Sequence, residues 1–463
     1  MISITTARKL LFKTGVILFW LLVWQLVALL VDNAILLSGP LDTLLALAAD
    51  AVTVGFWQSI GFSLLRIVLG FLLALSLGTL VALATLRLPH LATVLALPIN
   101  FIKSTPVVCI IVLLLIWMGS GWLSVAIVAL VVFPPAYFTM REEAANVDLR
   151  LKQMLAVFSV SWWRRFVTLY WPSALPFLRS SAQVSVGMAW KSGIAAEMIG
   201  IAHLSIGEAI YLSKVQLDSA QLFAWTITIV LLSLLCEKTV LALLAHSQNL
   251  LTATLRLGVQ AKTASNVAVT APQSSPIQLI GLSKGYEGRT VISDLTFTFE
   301  PGGRYCLNSP SGSGKTTLLS LVLGLIMPDQ GSVKGAQDIS AVFQEPRLFE
   351  GRDALQNVLL VCGRQRSRAH CKQLLLELLP PESLTLPVAQ LSGGMKRRTE
   401  LCRALAAVSR CVVLDEPFTG LDEASKRQAI AFIQAHLHGR SLLLATHNAE
   451  DAALLGATII EFS

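Results

Sequence analysis

Apolar residues run in blocks of about twenty through the first 250 positions and then give way to a shorter alternation. Six stretches, near 15–31, 59–86, 98–118, 122–140, 175–201 and 220–245, are long enough to cross a bilayer as helices. A hydrocarbon core about 30 Å thick needs roughly 20 such residues, because every backbone amide must be satisfied internally where water is absent. The pattern therefore predicts an α-helical membrane domain over 1–250, with six transmembrane helices. The first stretch follows Arg8, Lys9 and Lys13 and has no small-residue cleavage site in a suitable place, so it reads as a retained span. Residues 251–276, rich in Thr, Ala, Ser and Pro, read as a linker. From Ile277 onward, short β-branched or apolar runs such as Thr290–Phe299, Cys411–Leu414 and Ser441–Ala445 alternate with helical patterns such as Thr316–Leu325. That alternation predicts an α/β domain with a largely parallel sheet over 277–463.

Composition sharpens this picture. The chain is 54% hydrophobic and 14% charged, against about 45–50% and about 25% in ordinary soluble domains, which excludes a purely soluble protein. Basic residues in the first half fall in short clusters between apolar runs, as cytoplasmic loops of membrane proteins do, so the pI of about 9.2 is no sign of nucleic-acid binding. The segment 32–58 carries Asp32, Asp42 and Asp50 and no Lys or Arg, whereas 141–165 carries Arg141, Arg150, Lys152, Arg164 and Arg165. The positive-inside rule then places both termini in the cytosol. Seven cysteines, an odd number without a CxxC pair, are expected to be reduced apolar residues.

The chemistry lies in the second half. Residues 309–317 read S-P-S-G-S-G-K-T-T between a strand-like run ending at Leu307 and a helix opening at Thr316. This is a P-loop in its required context, with Ser309 where the first glycine is usual. Ser309, Ser311, Gly312, Ser313 and Gly314 would turn backbone N–H groups onto phosphates, Lys315 would reach the terminal phosphates, and the hydroxyls of Thr316 and Thr317 follow, Thr316 placed to ligate Mg²⁺. The run Cys411–Leu414 ends in Asp415-Glu416-Pro417, so two carboxylates emerge at the end of a buried strand. One can serve the metal and the other can polarise an attacking water.

Leu391-Ser392-Gly393-Gly394-Met395 resembles the LSGGQ signature of ABC-transporter ATPases, and the resemblance spans 277–463. It implies ATP and Mg²⁺ as cofactors, with Tyr286 as the aromatic on adenine, Gln344 as the Q-loop glutamine, Leu421-Asp422 as the D-loop and His447 as the switch histidine. It further implies that Glu416 is the catalytic base, that Asp415 and Gln344 reach the metal, and that His447 contacts the γ-phosphate. Ser309 for Gly and Met395 for Gln are departures. In this family ATP is sandwiched between the P-loop of one ATPase domain and the signature residues (here Ser392, Gly393 and Gly394) of another, which implies a homodimer with two composite sites.

The 147–178 stretch resembles the EAA loop of ABC importer permeases, with apolar Leu151, Met154, Leu155 and Phe158 at helical spacing. The runs from Ser63, Ile99 and Ala189 look like permeases of the nitrate/sulfonate/taurine importer group. Lys191 and Glu197 are charges inside an apolar stretch and are functional candidates for that reason; Lys191 reads as a substrate-pathway residue or as one that packs between helices or snorkels, a structural role is favoured more strongly for Glu197, and Arg66 reads as an anchor. The resemblance implies a permease fused to its ATPase in the inner membrane of a bacterium, importing a small, possibly anionic solute delivered by an external substrate-binding protein. An ABC exporter and a non-transporting membrane ATPase regulator are the alternatives.

Overall fold

The computed structural model describes residues 4–260, 275–286, 289–308, 313–362 and 366–460. They fall into two bodies, one drawn from 1–146 with 172–249 and the other from 147–171 with 250–463.

The first body is helical. Among the described residues four helices contain runs long and apolar enough to cross a membrane, over Thr14–Val31, Val54–Leu86, Leu123–Glu142 and Ser219–Leu251. The helices Val54–Arg87 and Leu123–Ala145 form the centre, and glycines let them touch: a Cβ on Gly70 would lie 2.6 Å from the Val125 carbonyl, and one on Gly78 would lie 2.9 Å from the Ala136 methyl. Close backbone approach of this kind is what drives helix association where lipid is as apolar as leucine.

Three of the expected spans differ from the structure. The stretch 98–118 is two helices, Pro89–Ser104 and Val107–Met118, whose apolar parts meet at 103°, a broken span or a re-entrant loop. The cause is Pro106, which lacks an amide donor and holds Thr105 extended at φ −79° and ψ 131°. The stretch 175–201 is a helix over Trp171–Gly200, but Arg179, Lys191, Glu197 and its serines and glycines leave it short of the apolar content of a self-sufficient span. Among the described residues, four helices, or five with the bent pair counted as one span, are long and apolar enough to cross a membrane by length and composition. The last helix, Ser219–Gln260, runs past 245 into the expected linker; 261–274 lie outside the described residues.

Glu197 is fully buried. Ser63 Oγ donates to its Oε2 at 2.6 Å, and Ile206 N–H donates to Ser63 Oγ at 2.9 Å. Arg66 is not an anchor: its guanidinium lies 3.7 Å from Glu197 Oε1 and donates to the His203 carbonyl, so it ties the helix Val54–Arg87 to the 203–206 turn. Lys191 is exposed on this body and forms no pair with Glu197.

The second body is α/β. Its strands are β1 (Ile277–Tyr286), β2 (Arg289–Phe299), β3 (Arg304–Leu307), β4 (Gln330–Lys334), β5 (Ile339–Val342), β6 (Cys411–Asp415), β7 (Ser441–Ala445) and β8 (Thr458–Ile460). The parallel sheet has five strands in the order β5-β6-β7-β3-β8, and a separate antiparallel sheet β2-β1-β4 shares a core with it. Every residue of β6 and β7 is buried, as parallel strands covered on both faces require. Val412 and Leu414 point to a core shared with helices Ala354–Cys362, Gly393–Ala406 and Glu423–His436, while Cys411 and Val413 point to a second core with helix Lys315–Val322.

That second core also takes in Met154 and Leu155, both fully buried, from the helix Leu149–Val157. Asp148 opens this helix by accepting from the amide of Arg150 at 2.8 Å. Leu151 and Phe158 pack against the same core. All seven cysteines are free thiols, five of them buried in this body.

Candidate functional site

The site lies where the parallel strands end, the edge at which open α/β sheets bind ligands. Register sets its members side by side. Leu307 of β3 pairs with Ala445 of β7, Ala445 pairs with Asp415 of β6, and Val342 of β5 pairs with Leu414. The segments that follow carry the P-loop after β3, Glu416 after β6, His447 after β7 and Gln344 after β5.

Ser309, Ser311 and Gly312 lie outside the described residues. Gly314 adopts φ +92° at the N-cap of helix Lys315–Val322, a left-handed conformation that glycine takes without cost. Its tightness is double, because a Cβ there would lie 2.8 Å from Val291 Cγ1. Lys315 is buried, and Thr317 follows it half-buried in the first helical turn. The Ser313 hydroxyl is buried with no hydrogen-bond partner among the described residues. A buried polar atom without a partner is costly, and a phosphate oxygen would satisfy it.

The Thr316 hydroxyl is hydrogen-bonded to the Asp415 carboxylate. Burial and the neighbouring charge of Glu416 push the Asp415 carboxyl up to about 6, although the Thr316 hydrogen bond, Arg397 and Lys315 draw it down. A desolvated carboxylate of this kind is stabilised by a cation placed against it. Glu416 stands next, with its backbone at φ +47°, unusual for a residue with a side chain, and its amide donates to the Ala445 carbonyl at 2.9 Å. Strain of this sort persists only where surrounding contacts enforce it. The effect is to aim the Glu416 carboxylate at His447, whose Nδ1 lies 2.9 Å from Oε2. Thr446 accepts the Asn448 amide and donates to Asp451 at 3.0 Å, which folds the turn so that His447 stays exposed.

Gln344 is exposed just beyond β5, and its carbonyl accepts from Arg397 Nη2 at 2.6 Å. Tyr286 is exposed at the end of β1, with Lys284 Nζ 5.6 Å from its ring centre. Ser392 caps helix Gly393–Ala406 by accepting the Met395 amide, and a Cβ on Gly394 would lie 3.3 Å from the Gly420 carbonyl. The signature residues are thus packed on the 418–421 turn that precedes Asp422. Met395, the departure from glutamine, is partly buried against the core. The clamp from Arg397 to Gln344 was missed in the sequence. Its only trace there was a basic residue three positions before Glu400 on one helix.

A phosphate loop, a strand-end carboxylate pair and a histidine on the next strand define an ATP-hydrolysing class of protein. Comparison with known proteins makes that class specific. Residues 292–419 match the family model described as ABC transporter, and residues 67–243 match binding-protein-dependent transport system inner membrane component. The aliphatic sulfonates import ATP-binding protein SsuB of Granulibacter bethesdensis is 32% identical over 190 residues, covering 41% of this chain and 80% of the relative. SsuB 1 of Nocardia farcinica is 35% identical over 187 residues, covering 40% and 76%. A dimeric ATP-binding cassette bound to ADP and Pi is similar at 22% identity and a TM-score of 0.37, covering 40% of this chain and 94% of that one. The chain belongs to the ABC transporter family. It is an ABC importer with permease and ATPase domains on one chain, binding ATP and coupling its hydrolysis to transport. The exporter and regulator alternatives are not favoured.

Proposed function

We propose that the chain is half of a homodimeric importer that takes up a small anionic solute of the aliphatic-sulfonate class, delivered by an external substrate-binding protein. The relatives' names supply the solute class, and the exposed Lys191, a cation on a helix packed among apolar spans, supports a pathway for an anion. We take 1–250 as the permease, 251–276 as the linker and 277–463 as the ATPase domain. The charge pattern supports cytosolic termini, and the match to an inner membrane component supports a bacterial inner-membrane location. Two chains would supply two composite sites, each with Tyr286 and the 309–317 loop from one copy and Ser392, Gly393 and Gly394 from the other.

Mg²⁺ fits the donors available, since Thr316 and Asp415 offer adjoining oxygens and Gln344 lies on the neighbouring strand end, a set of hard ligands. When bound, it would neutralise charge on the phosphates. Lys315 and the loop amides hold the phosphates, Glu416 takes the proton of the attacking water, and His447, oriented by Glu416, contacts the γ-phosphate. The observation that carries this reading is the 2.9 Å Glu416–His447 contact beside the Thr316–Asp415 hydrogen bond. Glu416→Gln should keep ATP binding and slow hydrolysis by at least about 10², the lower range for losing a general base. A purified variant hydrolysing ATP at a near-normal rate would remove Glu416 from this role.

A further inference from the structure

We propose that Lys284 and Asp329 are positioning residues for the nucleotide base, a clasp that fixes the Tyr286 ring so that adenine stacks on a surface already in place. The proposal rests on reading Tyr286 as the aromatic on adenine and adds the two groups that hold it.

Tyr286 ends β1 with its ring largely in solvent. A ring so placed would sample several rotamers, and ordering it on binding would cost affinity. Lys284 limits that freedom: its Nζ stands over the ring, 5.6 Å from the centre. A cation on one face is attracted by the ring's quadrupole and leaves the opposite face to a flat ligand. The lysine is itself held. Asp329 Oδ1 accepts from Lys284 Nζ at 2.6 Å and Oδ2 accepts from the Gly285 amide at 2.8 Å, so one carboxylate grips both the side chain and the backbone that leads to Tyr286. The Asp329 amide donates in turn to the Ser283 carbonyl at 2.9 Å. The bonds from Lys284 and Gly285 hold the Asp329 carboxyl below the usual carboxylate range, so the clasp is charged at neutral pH. The Lys284 side chain is only 17% exposed, against 51% for Asp329, which turns the ammonium inward to the ring and the carboxylate. Ion pairs this near the surface contribute little to stability, which leaves position as what the clasp supplies.

The clasp is built on the same strands as the phosphate loop. In the pairing of β1 with β2, Lys284 stands opposite Ile292, Gly285 opposite Thr290 and Tyr286 opposite Arg289. Val291, between those partners, is the wall against Gly314, 2.8 Å from where a Cβ on that glycine would lie. Asp329 follows the helix Lys315–Val322 that the loop opens and directly precedes β4, whose Gln330 pairs with Ser283 of β1. The ring and the phosphate-binding amides are thus fixed to one strand pair, as a ligand gripped at both its base and its phosphates requires.

The test is ATP hydrolysis by the full chain in lipid nanodiscs, with inhibition by inorganic tripolyphosphate, which carries the phosphates without the base, measured beside it. Lys284→Met and Asp329→Asn should each raise KM for ATP about threefold, the scale of one cation–π contact, with kcat and the inhibition by tripolyphosphate within about twofold of normal. The double variant should lose no more than either single one, because the two groups form one clasp. Tyr286→Ala should raise KM for ATP at least as far. Should Lys284→Met not fold, Asp329→Asn, which keeps the side chain's shape at a half-exposed site, decides the matter. A normal KM in both clasp variants beside a raised one in Tyr286→Ala overturns the clasp and leaves Tyr286 its role. Equal losses for ATP and tripolyphosphate also overturn it, since Lys284 would then act only as a charge that attracts phosphate. A normal KM in Tyr286→Ala overturns the reading of Tyr286 and the clasp with it.

Discussion

Gly314 and Glu416 both hold positive φ, at +92° and +47°, but for different reasons. At Gly314 the conformation and the wall of Val291 leave no space for a side chain, so Gly314→Ala should weaken ATP binding and lower stability by about 1 kcal/mol or more. By contrast Ser309→Gly, which restores the usual first glycine, should be tolerated. Nucleotide titration and thermal unfolding of the two variants check this, and equal losses in both would contradict it. The P-loop, the Asp415-Glu416 pair and His447 were legible in the sequence because each is a short local string at a strand end. Arg397 and Glu400 were not, since R-R-T-E-L-C-R on a helix reads as a solvated face. Their burial is decided by the segment 343–347, some fifty residues away in sequence.

Among the elements, the helix Leu149–Val157 was legible from its apolar spacing, and the structure seats Met154 and Leu155 in the ATPase core. Leu155→Asp with Phe158→Asp should uncouple transport from ATP hydrolysis while the chain still inserts, because a carboxylate at 155 would lie in an apolar core and one at 158 would replace an aromatic packed on the same core. Uptake per ATP hydrolysed, at equal expression, measures it, and an unchanged ratio would defeat the assignment. The membrane helices were legible only as apolar length. Hydropathy counts residues without direction, so the 103° break at Pro106 had to be read from the proline instead. Likewise helix Trp171–Gly200 buries Glu197 against Arg66 and Ser63 from a helix more than a hundred residues earlier in sequence. Breaking that pair singly should cost more than replacing it. Arg66→Met should destabilise the membrane body by roughly 3 kcal/mol, and Arg66→Met with Glu197→Gln by clearly less. Denaturation in detergent orders the variants, and an additive double variant would show that the pair does not interact.

For the whole molecule, the proposed orientation places the segments 32–58 and 202–219 outside. On that reading they are too short to make a ligand-binding domain, and capture of the solute would call for another chain. ATP can then drive import only if docking of the loaded partner favours the ATPase state that hydrolyses, which requires differential affinity for two states. The most direct measurement is solute movement in vesicles reconstituted with the full chain, with ATP on the side of the ATPase domains and a binding protein loaded with labelled aliphatic sulfonate on the other. Movement toward the ATP side, together with an ATPase rate that rises when the loaded partner is added, is the predicted result. ATP-driven movement away from that side with no partner present would contradict it.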